Sequence, residues 1–167
     1  MKIVLIGFAC SYKTSVGKIL AQKLGYNFID IDGEITRLAG RSIKDIFTEC
    51  GEKEFRNFES RALDSCYGIE NTVIACGGGT ATLKEFEALA KESTVVWLKV
   101  NAKTVFDRLD GTSRPLFDNL SISELDKILA QRNAVYALCA QDIAIETDGL
   151  TSFQVSELLY SALMNKR

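Results

Sequence analysis

Hydrophobic and polar positions along this chain switch repeatedly between strand-like and helix-like periods. Residues 3–6 form an unbroken apolar run, as expected of a strand over residues 2–6 that is buried on both faces. Residues 14–24 follow helical spacing, with Val16, Ile19, Leu20 and Leu24 on one face and Gly25 as the stop. A second strand is predicted over residues 26–30. Helical segments follow over 33–39, 42–50 and 52–67, punctuated by Gly40, Gly51 and Gly68. Residues 72–76 read as a third strand, closed by Gly77-Gly78-Gly79, and residues 83–91 as a helix. A fourth strand over 94–100 and a short helix over 103–109 lead into a polar stretch, 110–119, that holds the only proline. Ser121 and Glu124 have the spacing of a capping box that opens a helix to about residue 140. A fifth strand over 143–146 follows, and Thr151 with Gln154 offers a second capping box for the terminal helix. Such alternation predicts an α/β fold, a parallel sheet with helices on both faces. In sheets of this kind ligands bind at the carboxyl ends of the strands, so chemistry is expected in the turns after Ile6, Asp30 and Cys76.

Composition narrows the chemistry. The chain has 167 residues, 47% hydrophobic and 25% charged, which suits one domain with a real core. A net charge of −2 gives no basic surface, so neither nucleic acid nor membrane is expected as a partner. A monomer is the expectation, though charge does not decide it. With no histidine, Ser-His-Asp hydrolases, Cys-His nucleophiles and histidine zinc sites are excluded together. The five cysteines are odd in number and widely spaced, without a CxxC pair, which points to free thiols in a reducing cytoplasm and to core packing. The first apolar run is too short for a signal peptide, and no run approaches the ~18 residues of a membrane helix.

The turn after the first strand, Gly7-Phe-Ala-Cys-Ser-Tyr-Lys13-Thr14, nearly spells the phosphate-binding loop G-x-x-x-x-G-K-[ST]. That chemistry requires backbone N–H groups curled round an anion at a helix N-terminus, a lysine for the β/γ-phosphates and a hydroxyl for a divalent cation. Cys10, Ser11, Tyr12, Lys13, Thr14 and Ser15 are therefore nucleotide-binding candidates. Tyr12 departs from the pattern, which has glycine there. Either its backbone takes the glycine-like conformation under strain, or the loop is re-formed around its ring. Asp30 and Asp32, two apart at the end of the second strand, are expected on one face beside this loop, where paired acids serve cation-bound water and a substrate hydroxyl; Asp32 could also cap the next helix. The three glycines, among them Gly78 and Gly79, suggest that something approaches their backbone closely. Arg56 and Glu59, three apart, read by spacing alone as a surface helix pair. Arg132 falls in the middle of an apolar helix face and needs an acid or an anionic ligand as partner. Arg108 and Arg114 bracket the polar stretch and suggest a lid bearing cationic donors.

Taken together, these stretches resemble the shikimate kinases over nearly the whole chain. They run from Lys13-Thr14-Ser15 through Phe28 to Asp32, residues 43–47 with Gly51-Glu52, Phe55-Arg56 to Glu59, residues 75–79 and Arg114-Pro115-Leu116 to Arg132 and Tyr136. The resemblance implies a three-layer sandwich around a five-stranded parallel sheet, of the P-loop, nucleoside monophosphate kinase-like kind. It implies one kinase domain with a shikimate-binding helical segment over about 32–60 and a mobile lid over about 109–120. It also implies transfer of the ATP γ-phosphoryl group to the 3-hydroxyl of shikimate with Mg²⁺, a cytoplasmic step toward aromatic amino acids. By match, Lys13, Asp32 and Arg114 are catalytic, and Thr14 with Asp30, through water, serves the metal. Asp32, Arg56, Gly78, Gly79 and Arg132 bind shikimate, and Arg108 flanks the adenine. Phosphoryl transfer relies on positioning and charge neutralisation, which is compatible with a chain that has no histidine. Another small-metabolite or nucleotide kinase of the same fold, or a non-catalytic nucleotide-binding module, is the alternative.

Overall fold

Five short strands, each carrying apolar residues on both faces, associate into one parallel sheet in the order β2-β3-β1-β4-β5. The computed structural model describes residues 1–109, 120–140 and 143–165. The strands are β1 (Lys2–Ile6), β2 (Asn27–Asp30), β3 (Thr72–Ala75), β4 (Thr94–Lys99) and β5 (Ile143–Glu146). The helices are α1 (Lys13–Leu24), α2 (Ile31–Ala39), α3 (Ile43–Asp64), α4 (Lys84–Lys91), α5 (Ala102–Leu109), α6 (Ile122–Cys139) and α7 (Ser152–Met164). Both capping boxes form, Ser121 with Glu124 and Thr151 with Gln154, and fix where α6 and α7 begin.

The unbroken apolar run of β1 is explained by the two layers it separates. Ile3 and Leu5 pack with Val16 and Leu20 of α1 and Val155 and Leu159 of α7. Val4 and Ile6 face the opposite core, built from residues such as Ile35, Leu63, Phe86, Leu125 and Tyr136. Register then decides where the chemistry meets. Leu5 of β1 and Asp30 of β2 both pair with Ala75 of β3, so three strands end level at one edge of the sheet. The three turns singled out from the sequence therefore leave the sheet side by side. Among the described residues no helix is long and apolar enough to cross a membrane.

The helical stretch 42–67 is broken at Gly51, as the sequence leads one to expect. α3 is two helical segments that meet at this glycine, whose φ of 77° and ψ of 177° are not helical, and it ends at Asp64, short of residue 67. The bend brings the Phe47 and Phe55 rings to 4.6 Å between centroids.

Candidate active site

A cleft of about 770 Å³ opens over the level ends of β1, β2 and β3. Its walls include every candidate residue among those described: 10–15, Asp30, Asp32, Arg56, Gly78, Gly79, Arg108 and Arg132. Arg114 and residues 110–119 of the expected lid lie outside the described residues.

The turn after β1 keeps the geometry of a phosphate loop. Lys13 Nζ donates to the carbonyl oxygens of Gly7 at 2.8 Å and Phe8 at 2.7 Å, so the ammonium lies across the mouth of the loop. The buried Ser11 hydroxyl closes the loop by donating to Phe8 O at 2.9 Å. No acid occupies the first turn of α1, which leaves the positive end of that helix for an anion. Tyr12 adopts the glycine-like conformation (φ 67°, ψ 15°), and Cys10 is left-handed too (φ 62°). The two alternatives for Tyr12 thus meet: its backbone takes the glycine-like conformation, and its ring covers a neighbouring element. That ring stacks on Arg108, with the guanidinium carbon 3.8 Å from its centroid.

Asp30 and Asp32 line the cleft together, but not as alternate residues of one strand. β2 ends at Asp30, and Asp32 lies in the first turn of α2. Asp30 is also the cap, a role the sequence offered to Asp32: its Oδ1 accepts from the Asp32 N–H at 3.1 Å. Its other oxygen accepts from the Thr14 hydroxyl at 2.6 Å, tying α1 to the end of β2. The proton of Thr14 is thus committed to Asp30, and its oxygen lone pairs remain for another ligand.

Two of the three glycines are explained by crowding. A Cβ on Gly79 would sit 2.6 Å from an Arg56 nitrogen, and one on Gly77 would lie 3.1 Å from Glu59 and 3.2 Å from Asp32, whereas one on Gly78 would make only ordinary contact, 3.6 Å from Ala9 N. None of the three has a positive φ, so the requirement at Gly77 and Gly79 is for space. Arg56 is no surface pair either. Its partner Glu59 is only 1% exposed, accepting from Arg56 Nη1 at 2.6 Å and from the Thr80 hydroxyl at 2.5 Å. Burial alone would lower the pKa of the Arg56 guanidinium. The hydrogen bonds and charges of Glu59 and Glu52 reverse this and leave it raised. Arg132 is the looser cation: among the described residues it meets no carboxylate, only the Thr82 hydroxyl at 3.5 Å.

Sequence reasoning missed several groups. The Phe47–Phe55 pair lines the cleft, and its signal was the glycine break between the two rings. Tyr136, fully buried, donates to Gly78 O at 2.5 Å and so fixes the middle of the glycine run from α6; burial raises its hydroxyl pKa. Among the thiols, Cys10 and Cys76 both line the cleft. Cys50 is exposed and takes no part in the core packing expected of the cysteines. Burial pushes the Cys76 thiol well above its ordinary range, which makes it packing material and no nucleophile.

Comparison with known proteins is consistent along the whole chain. The family model described as "Shikimate kinase" matches residues 9–163. A shikimate kinase of Persephonella marina is 42% identical over 160 residues, covering 94% of this chain and 96% of the relative. One from a Sulfurihydrogenibium species is 37% identical over 166 residues, covering 98% of each. Among solved structures, the shikimate kinase of Acinetobacter baumannii in complex with shikimate superposes with a TM-score of 0.91 at 28% identity, covering 99% of this chain and 94% of that one.

Proposed function

The chain belongs to the shikimate kinase family and is an ATP-dependent kinase, and we propose that its cleft transfers the ATP γ-phosphoryl group to the 3-hydroxyl of shikimate, giving shikimate 3-phosphate and ADP. The observation that carries this reading is the coexistence, in one cleft, of a phosphate loop with two arginines beside a carboxylate and a glycine run. The first element suits a nucleoside triphosphate, and the second suits a small polyol acid. The chain acts as one domain, residues 32–60 serving the acceptor.

Phosphoryl transfer leaves little covalent chemistry to the protein, so each residue acts by position and charge. Lys13 neutralises the β/γ-phosphates at the N-terminus of α1. Arg56 and Arg132 clamp the acceptor carboxylate. Two of the five N–H donors of Arg56 are committed to Glu59 and Glu52, and the rest remain for the ligand in a plane that those acids orient. Asp32, bordering Gly77, receives the proton of the attacking hydroxyl, and Gly78 and Gly79, which line the cleft, offer backbone contacts to the ring. Arg114 meets the transferring group and Arg108 the adenine. The donor set at Thr14 and Asp30 fits Mg²⁺, a hard cation that takes oxygen ligands. Among the described residues no group of three or more metal-ligating side chains forms a cage, which fits an ion held largely by phosphates and water. When bound, Mg²⁺ supplies neutralisation of the phosphate charge.

Coupled ADP release with ATP and shikimate tests the reading. Wild type should release ADP only with the acceptor present. Asp32→Asn should lose turnover by roughly a hundredfold or more, as expected for a removed general base, while still binding ADP. Turnover that is indifferent to shikimate, or an Asp32→Asn enzyme of normal kcat, overturns the assignment.

A further inference from the structure

The reaction as described gives Tyr12 no role, yet the chain keeps a bulky ring at a backbone position that glycine occupies without strain. The ring makes the contact and the hydroxyl does not: among the described residues Tyr12 OH has no hydrogen-bond partner, whereas the ring face covers the Arg108 guanidinium at 3.8 Å. Arg108 is held along its edge as well. Nη1 donates to Cys10 O at 2.7 Å and Nη2 to Thr147 O at 2.9 Å, with a further contact from Nη1 to the Thr147 hydroxyl at 3.3 Å. Thr147 is itself anchored, its hydroxyl donating to Lys99 O at 2.7 Å. Two loops and one ring thus fix a cation that projects from the last turn of α5, and Tyr12 and Arg108 both line the cleft.

We propose that Tyr12 is a positioning residue for the nucleotide, its ring holding the Arg108 guanidinium flat beside the phosphate loop so that the nucleoside end of ATP meets a preformed cationic plane. The inference rests on the reading that this cleft binds ATP. Lys13, at the carbonyls of Gly7 and Phe8, marks where the terminal phosphates lie. Arg108, tied to Cys10 and to the loop after β5, stands where the remainder of the nucleotide extends. A free arginine loses much rotamer freedom when it stacks on a ligand. One already stacked on tyrosine has lost that freedom in advance, so the ring contributes to affinity without touching the phosphates.

Calorimetric titration with ADP and, separately, with inorganic pyrophosphate tests this on wild type, Tyr12→Phe, Tyr12→Gly, Arg108→Ala and the Tyr12→Gly/Arg108→Ala double variant. Tyr12→Gly should weaken ADP by about threefold to thirtyfold, the range of one cation–π contact, and leave pyrophosphate unchanged. Tyr12→Phe should keep wild-type ADP affinity. In the Arg108→Ala background, Tyr12→Gly should cause no further loss. Tyr12→Asn, which also tolerates the left-handed backbone, serves as a second ringless variant should the glycine protein not fold. ADP binding by Tyr12→Gly equal to or tighter than wild type overturns the proposal. So does an equal loss for ADP and pyrophosphate, or the same loss without Arg108. Because these titrations need no acceptor, normal ADP binding without shikimate-dependent turnover rejects only the acceptor assignment. Wild type that does not bind ADP rejects both.

Discussion

Glu59 links the acceptor side of the cleft to the core. Its side chain is 1% exposed, and each of its oxygens accepts one hydrogen bond, from Arg56 and from Thr80. Glu59→Gln keeps the shape but weakens a charge-assisted contact. The expected cost is about 1.5–3 kcal/mol of stability, with the shikimate KM raised about tenfold or more through a misaligned Arg56. Thermal melting and steady-state kinetics check both, and the ATP KM should stay near wild type. An unchanged shikimate KM would show that Arg56 is held without Glu59. Residue identity alone made Lys13, Thr14 and the glycine run legible, because few other environments call for such sequences. It could not reveal that Glu59 is buried, since the same i, i+3 spacing occurs on any solvated helix. Nor could it show that the Tyr12 ring has a partner 96 positions away in sequence.

At the scale of elements, the bend in α3 determines the acceptor wall. Ser42 caps the helix, and Gly51 breaks it at φ 77°, ψ 177°, between Phe47 and Phe55 and immediately before Glu52 and Arg56. A Cβ on Gly51 would meet nothing within 4 Å, so the constraint is the backbone conformation alone. Gly51→Ala should therefore destabilise by about 1–3 kcal/mol in urea denaturation and raise the shikimate KM as the helix straightens. Wild-type stability in this variant would mean that the bend survives without glycine. Helix and strand positions were largely legible here because apolar periodicity is strong and the caps are explicit. The start of α2 was not. The strand end at Asp30 was legible, but the helix begins at Ile31 and not at residue 33, so Asp32 is helical and does not continue the strand alternation; the cap that starts α2 is the last residue of β2 itself.

For the molecule as a whole, the absence of histidine and the burial of other acids shape the response to pH. Burial raises the pKa of the Cys66 and Cys76 thiols and of the Tyr136 hydroxyl. In the unfolded chain these groups ionise near their ordinary values, 9.0 for the thiols and 10.0 for the tyrosine. Above about pH 9 the unfolded state therefore binds fewer protons than the native state, and stability falls as pH rises; below it this contribution is intact. Melting temperatures should thus decline from about pH 9 upward. A flat profile from about pH 8 to pH 11 would show that the native state opens enough to hydrate these groups.

The sequence by itself determined the order of elements, the two-faced burial of the sheet, the phosphate loop and the glycine run. Each of these depends on local periodicity, on turn chemistry or on a short contiguous motif, information that the chain carries within a few neighbouring residues. Tertiary structure decided the rest. It aligned Leu5, Asp30 and Ala75 at one edge, buried Glu59 beneath Arg56, set Tyr136 under Gly78 and laid Tyr12 on Arg108. Those relations depend on strand register and on packing between elements distant in sequence. Spacing along one segment constrains neither, because a side chain's partner is chosen by which surfaces the whole fold brings within a few ångströms.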